Sequence, residues 1–401
     1  MTIQNAISTH LSRKASHIKV SRGWGKNEAI SFVYGFPAPE LLPNDLVLSA
    51  TDTALHQQGE WPLQYAGTPG SNGLRDTLIQ KLARDQKITA TRENLLLTAG
   101  SSQAISYICE LLLDPGDVVL SEAPTFLGTV RMMKNMGVDI EGVPLDENGV
   151  RVDALEAILK RLKAVGKRAK MFYVIPTFQN PSGVTTTLER RQRIVELARE
   201  YDFVILEDDA YYDLRFAGDP LPPLYALEGG ARTFYVGTFS KILSPGLRLG
   251  FVVANEDVIS HLEALKPEGG ASPFAMAVAW EFCKNGGLDA NIAKLRAAYK
   301  RRCETMQDAL TEFMPTGVTW TQPQGGFFIW VTLPDYMDAR EMDAAVRAKG
   351  VDYLPGAACF FDGSGNNTLR LAFSYAAEDK LAEGIQAIAD CVRERVRRSD
   401  S

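Results

Sequence analysis

The stretch FYVGTFSKILSPGLRLGFVVA, residues 234–254, sets two smooth apolar runs on either side of an interruption that carries Lys241 and, seven residues on, Arg248. Apolar runs of this length, bounded by Gly, Pro and Ser, read as buried strands. A lysine between two such strands costs desolvation if it stays charged, so its position needs a chemical reason. Working outward, the same texture recurs at NLLLTA (94–99), DVVLSE (117–122), VDIEGVPL (138–145), MFYVIP (171–176) and FVILED (203–208). With TFYVGT (233–238) and LGFVVA (249–254) these make seven predicted strands. Helical periodicity fills gaps between them at 102–113, 126–136, 152–162 and 188–201, and DPGD (114–117) and NPSG (180–183) read as turns. Strands alternating with helices predict an α/β fold: a mainly parallel seven-stranded sheet flanked by helices.

The chain is long enough for one large and one small domain, with 401 residues, 45% hydrophobic and 23% charged. After about residue 290 the texture changes to a long charged helix, then GVTWTQPQGGFFIWVTL, another helix, NTLRLAFS and a closing helix. This reads as a smaller α+β domain. The expected division is 49–290 for the large domain, with 1–48 and 291–401 forming the small one and the N-terminal segment irregular.

A net charge of −6 argues against a polyanion as main partner. The basic tail RERVRR (393–398) reads as the cation-rich end of a terminal helix. The five cysteines, at 109, 283, 303, 359 and 391, include no C-x-x-C pair, and the four histidines have no ligand spacing. A metal site and a disulfide framework are therefore not expected, and a reducing compartment is. The first thirty residues lack the apolar run of a signal peptide, and no stretch has the length of a membrane span. The cytoplasm is the expected location, with no membrane or nucleic-acid partner.

In open α/β sheets ligands bind beyond the carboxyl ends of the strands. There the sequence places Gly100-Ser101-Ser102-Gln103, then Thr-Phe-Gln-Asn ending at Asn180, Asp208-Asp209-Ala210-Tyr211, and Phe-Ser-Lys ending at Lys241. The first of these opens a helix, whose free amides and dipole favour an anion such as phosphate, although a plain serine N-cap has the same spelling. It lacks the G-K-[ST] of a nucleotide-triphosphate loop. Lys241, among apolar walls and near Arg248, would have its ammonium form disfavoured, which makes the amine nucleophilic. A surface lysine in a loop is the plainer alternative. Asp208 and Asp209 end an apolar strand with no further acid cluster or histidine after them, which suits a single Asp facing a cofactor cation better than a metal.

Taken in order, these pieces resemble the fold-type-I, pyridoxal-phosphate-dependent aminotransferases of class I/II, in the 2-aminoadipate and multi-substrate branch. The likeness runs from ISFVYGFPAPELLP (30–43) through QYAGTPGSNGLRDTL, LLLTAGSSQAI, SEAPTF, PTFQNPSG, LEDDAYYDLRF, GTFSKILSPGLRLGF and QPQGGFFIWV to NTLRLAFS. It implies pyridoxal 5′-phosphate as cofactor. Lys241 would be the amine that bonds it and then moves the proton at the substrate's Cα. Asp208 would hold the pyridine nitrogen protonated, and Asn180 and Tyr211 would hydrogen-bond the ring oxygen. Ser101, Ser102, Gln103, Thr238, Ser240 and Arg248 would cradle the phosphate. Phe126, where the family commonly has Tyr, would stack on the ring. Tyr65 would be lent to the phosphate by a partner subunit, implying a homodimer. Arg370 would clamp the substrate α-carboxylate, with Gly35 and Asn180 lining the same pocket.

The implied reaction moves an amino group from an L-α-amino acid to a 2-oxo acid such as 2-oxoglutarate by a ping-pong route. A decarboxylase, lyase, cyclase or oxidase with the same cofactor site is the alternative. A transcription regulator with an aminotransferase-like domain is the reading from another class; ISFVYGFPAPELLP is reached by residue 43, which leaves no room for a winged-helix domain ahead of it. Where dicarboxylate-specific members carry an arginine, this chain has Lys19 with Arg22 behind it, and lysine does not replace an arginine fork. Ser102 stands where Gln is common. Tyr34, Phe36 and Phe274 are candidates for an apolar side-chain wall, and ordinary core positions otherwise.

Overall fold

The computed structural model describes residue 10, residues 30–265 and residues 270–399. Its strands are β1 (Ile30–Ser31), β2 (Leu95–Thr98), β3 (Val118–Ala123), β4 (Asp139–Asp146), β5 (Gly149–Val150), β6 (Ala169–Val174), β7 (Val204–Asp208), β8 (Thr233–Thr238), β9 (Gly250–Val253), β10 (Thr319–Trp320), β11 (Phe328–Thr332), β12 (Val351–Asp352), β13 (Leu354–Pro355) and β14 (Thr368–Ala372). The main sheet has the order β2-β9-β8-β7-β6-β3-β4-β5. Its centre, from β4 through β3, β6 and β7 to β8, is parallel, while β9 runs antiparallel between β8 and β2. All seven strands expected from the sequence are present within a few residues. Gly149–Val150 adds an eighth by folding back on Leu145–Asp146, a hairpin that needs the positive φ of 87° at Gly149.

The central strands are apolar throughout because both faces are covered. Successive side chains point to opposite sides: on β6, Met171 and Tyr173 join one buried cluster, while Phe172 and Val174 join another. The helices that cover the sheet are Ser101–Leu112, Leu127–Lys134, Val152–Ala164 and Leu188–Glu200, close to their expected spans. A helix at Asn44–Gln57 replaces the irregular structure expected before residue 49; only Ala50 and Ala54 are buried on it, so it carries little core pattern.

A second, antiparallel sheet has the order β10-β11-β14-β13. In it Arg370 stands opposite Trp330 and Leu354. β1 pairs in parallel with β12, bringing the N-terminal segment alongside the C-terminal part. The helix Gly287–Phe313 packs on the closing helix Leu381–Ser399. In the basic tail, Arg393 and Arg395 donate to the Phe313 and Glu341 carbonyls.

Two buried side chains aim the loops that leave β6 and β7. Arg191 is fully buried yet spends its donors on the Thr186, Pro176 and Pro222 carbonyls and on Thr177 Oγ1 (2.7–3.1 Å), which ties the segment leading to Asn180 onto the helix behind it. Glu207 accepts from the Leu224 and Tyr225 amides, each at 2.8 Å. Strand alternation then turns Asp208 to the opposite face.

Candidate active site

Beyond the carboxyl ends of the parallel strands lies a cavity of about 450 Å³ lined by eighteen residues, among them Tyr34, Gly35, Phe126, Asn180, Asp208, Tyr211, Lys241, Arg248 and Arg370. A larger cleft of about 700 Å³ lies between the hairpin at 145–148 and the β10–β11 segment. Of its two acids, the half-buried Asp146 is committed to Arg190 at 2.5 Å and Glu147 is exposed, so it gathers no comparable chemistry.

Lys241 follows β8 and is held in the cavity with its Nζ donating to the Gly35 carbonyl at 2.9 Å. The rings of Tyr211 and Phe327 lie 6.0 and 5.6 Å from it. Burial first, and then the Arg370 charge, lower its pKa to about 8, against the opposing pull of Asp208. The amine is thus partly free at neutral pH, which a surface lysine is not.

Asp208 ends β7. Its Oδ2 accepts from Tyr173 Oη at 2.9 Å, while its Oδ1 is buried without a hydrogen-bond partner among the described residues. Burial raises its pKa to about 6, opposed by the Tyr173 hydrogen bond and Lys241. Such an unpaired buried carboxylate oxygen is costly and suits a cationic or N–H donor in the cavity.

Beyond the end of β2, at the edge of the sheet, Gly100 has φ 89° and precedes the helix Ser101–Leu112. A Cβ there would come within 2.7 Å of Arg248 Nη2, so the guanidinium packs against the helix start. The first-turn amides at Ser101 and Ser102 have no carbonyl four residues back, and with Arg248 they form an anion cradle. Across it, the Thr238 and Ser240 hydroxyls lie 3.0 Å apart. Gln103 does not join them: its Oε1 accepts from the Ala99 amide at 2.8 Å, so it closes the turn from behind and does not line the cavity.

On the opposite wall Arg370 is buried. Its Nη1 donates to Asn180 Oδ1 at 2.9 Å and its Nη2 to the Val33 carbonyl, and the guanidinium lies 4.4 Å from the Phe328 ring centre. Its Nε has no partner among the described residues. Gly35 is required beside it, since a Cβ would meet Phe328 at 2.4 Å. Tyr211, next to Asn180, packs edge-on against Phe327 and Phe328.

The match is to the family model of aminotransferase class I and II, over residues 38–388. This chain belongs to that family. Aromatic-amino-acid aminotransferase 1 of Thermococcus litoralis is 39% identical over 97% of this chain and 94% of its own. The Pyrococcus horikoshii kynurenine aminotransferase, solved with PMP, superposes with a TM-score of 0.94 at 38% identity, covering 98% of this chain and 99% of that one. The alpha-aminoadipate aminotransferase of Thermus thermophilus, solved with a phosphopyridoxyl-leucine, gives 0.90 at 32% over 98% and 99%.

The cofactor of this aminotransferase is pyridoxal 5′-phosphate, and the cavity fits it on three independent counts. An amine with lowered pKa, an acid with one unpaired oxygen and a glycine-led anion cradle all open into the same 450 Å³. Among the described residues no cluster of His, Cys, Asp or Glu could hold a metal, and no helix is long and apolar enough to cross a membrane.

Of the residues singled out in the sequence, Tyr65 lies outside the cavity and is 91% exposed. Phe274 also lies outside it, at the first turn of the helix Pro273–Cys283. Lys19 falls outside the described residues. Sequence reasoning missed Val33, Ile175, Ala210 and Phe328, which line the cavity, and Tyr173, which holds Asp208 from behind. The first four are apolar or small and spell ordinary core. Tyr173 sits inside MFYVIP, where an aromatic reads as strand packing.

Proposed function

We propose that this aminotransferase takes the amino group from an L-α-amino acid and gives it to a 2-oxo acid, 2-oxoglutarate, in two half-reactions that use one site in turn. The observation that carries this is the meeting of Lys241, Asp208 and Arg370 around a single cavity. Bound there, the cofactor supplies a carbonyl carbon that an amine can attack and a ring that can take up the electron pair left at the substrate's Cα.

In this reading Lys241 Nζ would hold the cofactor and would be the base that takes the proton from the substrate's Cα, a task its lowered pKa matches. Asp208 would accept from the pyridine N–H and so favour the cationic ring. Asn180 and Tyr211 would hydrogen-bond the ring oxygen, and Phe126, which borders the cavity, would cover the ring face. Ser101, Ser102, Thr238, Ser240 and Arg248 bind the phosphate, with Gln103 shaping their turn. Arg370 grips the α-carboxylate through its fork. Amino donor and 2-oxo acceptor both carry that carboxylate, so the same clamp serves each in turn, which supports a ping-pong order.

The side-chain wall is aromatic. Tyr34 and Phe36 stack with ring centres 5.2 Å apart, and Tyr375 meets both edge-on at 5.8 Å. Such rings favour aromatic or apolar side chains in the donor, in line with the name of the Thermococcus litoralis relative. All five cysteines are buried and unpaired, which supports work in the reducing cytoplasm.

The test is a single-turnover titration of the holoenzyme under nitrogen with Phe, Leu, Glu, 2-aminoadipate, Arg and Ala. The expected result is conversion of the cofactor chromophore to its amine form with one equivalent of 2-oxo acid per site, fastest with Phe, and reversal by 2-oxoglutarate. Lys241→Ala should abolish turnover while cofactor still binds. Release of carbon dioxide or ammonia without the amine form would replace transamination by a decarboxylase, lyase or oxidase reading.

A further inference from the structure

We propose that Tyr173 is a positioning residue that holds Asp208 as an acceptor toward the cofactor's ring nitrogen, with Thr129 anchoring the phenol from the far side. The inference rests on the assignment of Asp208 made above and extends the site by one layer. Tyr173 lies on β6, the strand beside β7, and is fully buried. Its Oη donates to Asp208 Oδ2 at 2.9 Å and accepts from Thr129 Oγ1 at 3.2 Å. Thr129, also buried, comes from the helix Leu127–Lys134 that begins just after Phe126. A phenol has one hydrogen, so accepting from Thr129 leaves that hydrogen for Asp208. Oδ2 is then occupied, and Oδ1 is left without a partner among the described residues, on a side chain that lines the cavity.

The packing alone does not ask for a hydroxyl here. The ring sits in an apolar cluster with Met171, Ile175 and Leu206, where phenylalanine would serve. What the hydroxyl adds is a donor to a carboxylate that has few others. The groups that face Asp208 are Glu122 from β3, Tyr173 from β6, Tyr211 from the turn after β7 and Lys241 after β8. Of these, Lys241 is the cation, and in the proposed reaction it has work elsewhere. Glu122 makes no hydrogen bond to Asp208: its Oε2 accepts from the Ile175 amide and Gln179 Nε2, and its Oε1 has no partner among the described residues. Burial and then Asp208 raise the phenol's pKa well above its ordinary value, so Tyr173 keeps its hydrogen throughout the working range. A hydrogen bond to the charged form favours that form, so the phenol shifts the shared proton from carboxyl to ring nitrogen.

The experiment is a pH titration of the ring-nitrogen ¹⁵N shift in holoenzyme loaded with ¹⁵N-labelled pyridoxal 5′-phosphate, for wild type, Tyr173→Phe, Thr129→Val and Asp208→Asn. Expected is loss of the ring proton in Tyr173→Phe at a pH about one unit or more below wild type, a tenfold or larger change in the protonated ratio. Thr129→Val should move the same way by less, since it acts through the phenol. The kcat of Tyr173→Phe should fall with KM for the amino acid unchanged. A ring nitrogen that titrates alike in wild type and Tyr173→Phe, or holds its proton throughout in both, overturns the proposal. Should Tyr173→Phe fail to fold, Thr129→Val decides: a downward shift supports the relay and no shift overturns it. Asp208→Asn separates the two layers. If it too titrates like wild type, the assignment of Asp208 fails; if it loses the proton while Tyr173→Phe does not, only the relay fails.

Discussion

At the residue scale, the roles proposed for Lys241 and Arg370 each make a separable prediction. An amine with pKa about 8 is roughly one-tenth neutral at pH 7 and nine-tenths neutral at pH 9. Only the neutral form attacks a carbonyl, so capture of pyridoxal 5′-phosphate by the apoenzyme should speed up about tenfold over that interval and level off above it. Stopped-flow absorbance checks this; a rate still climbing at pH 10 would mean that Lys241 is an ordinary lysine. Arg370→Lys keeps the charge and loses the fork. KM for amino acid and for 2-oxo acid should rise together, by about 10-fold or more, with a smaller loss in kcat. An unchanged KM for either acid would remove Arg370 from the clamp. The four polar residues of the proposed chemistry (Asn180, Asp208, Lys241 and Arg370) were legible because each is a polar residue inside an apolar strand or in the segment that follows one. Tyr173 was not, because its ring satisfies the strand pattern and only its hydroxyl leaves it.

The decisive element is the junction of β9 with the helix Ser101–Leu112. Gly250 starts β9, and a Cβ on it would lie 2.6 Å from the Ser101 amide nitrogen and 2.7 Å from the Gly100 carbonyl carbon. Those are backbone atoms that cannot turn aside. Gly250→Ala should therefore push the helix start outward, cost about 1–3 kcal/mol in urea unfolding, and raise the cofactor dissociation constant about tenfold. Unaltered cofactor retention would show that the cradle tolerates the shift. Strand alternation explains a second feature of this scale. LEDD offers three consecutive acids, and β7 sends them apart: Glu207 to the amides of the helix Leu224–Glu228, Asp208 to the cavity, and Asp209 to Tyr235 Oη at 3.3 Å. Sequence named Asp208 through the family resemblance; the sheet supplies the physical reason. Gln103 shows the converse, since one turn of backbone at Ala99 claimed a side chain that its position in the motif had assigned to phosphate.

For the whole molecule we propose a homodimer in which Tyr65 enters the partner's site. Leu46, Leu48, Leu55, Leu63 and Tyr65 are large hydrophobic residues exposed within residues 46–65, Leu63 at 76% and Tyr65 at 91%, and a partner subunit would cover them. Sedimentation equilibrium should give a mass about twice 44.1 kDa. Tyr65→Phe should keep that mass while cofactor dissociation speeds up about tenfold; a monomer in solution, or a Tyr65→Phe protein with wild-type retention, would refute that role. We also propose that residues 49–290 act as one unit, with 1–48 and 291–401 as the other. Both boundaries fall inside helices, Asn44–Gln57 and Gly287–Phe313, so the units are joined by helical chain.

The sequence by itself determined the alternation of strand and helix, seven of the eight strands of the main sheet, and the polar residues near their ends. These follow from local patterns: period two, period 3.6, and the cost of burying a charge without a reason. Tertiary structure decided which of those residues meet. Lys241 reaches the Gly35 carbonyl across 206 positions, and Arg370 reaches Asn180 across 190, separations over which no local pattern carries information. It also decided where donors are spent, turning Gln103 away and bringing the Tyr173 phenol up behind Asp208, because a hydrogen bond depends on ångströms of placement that only the packed sheet provides.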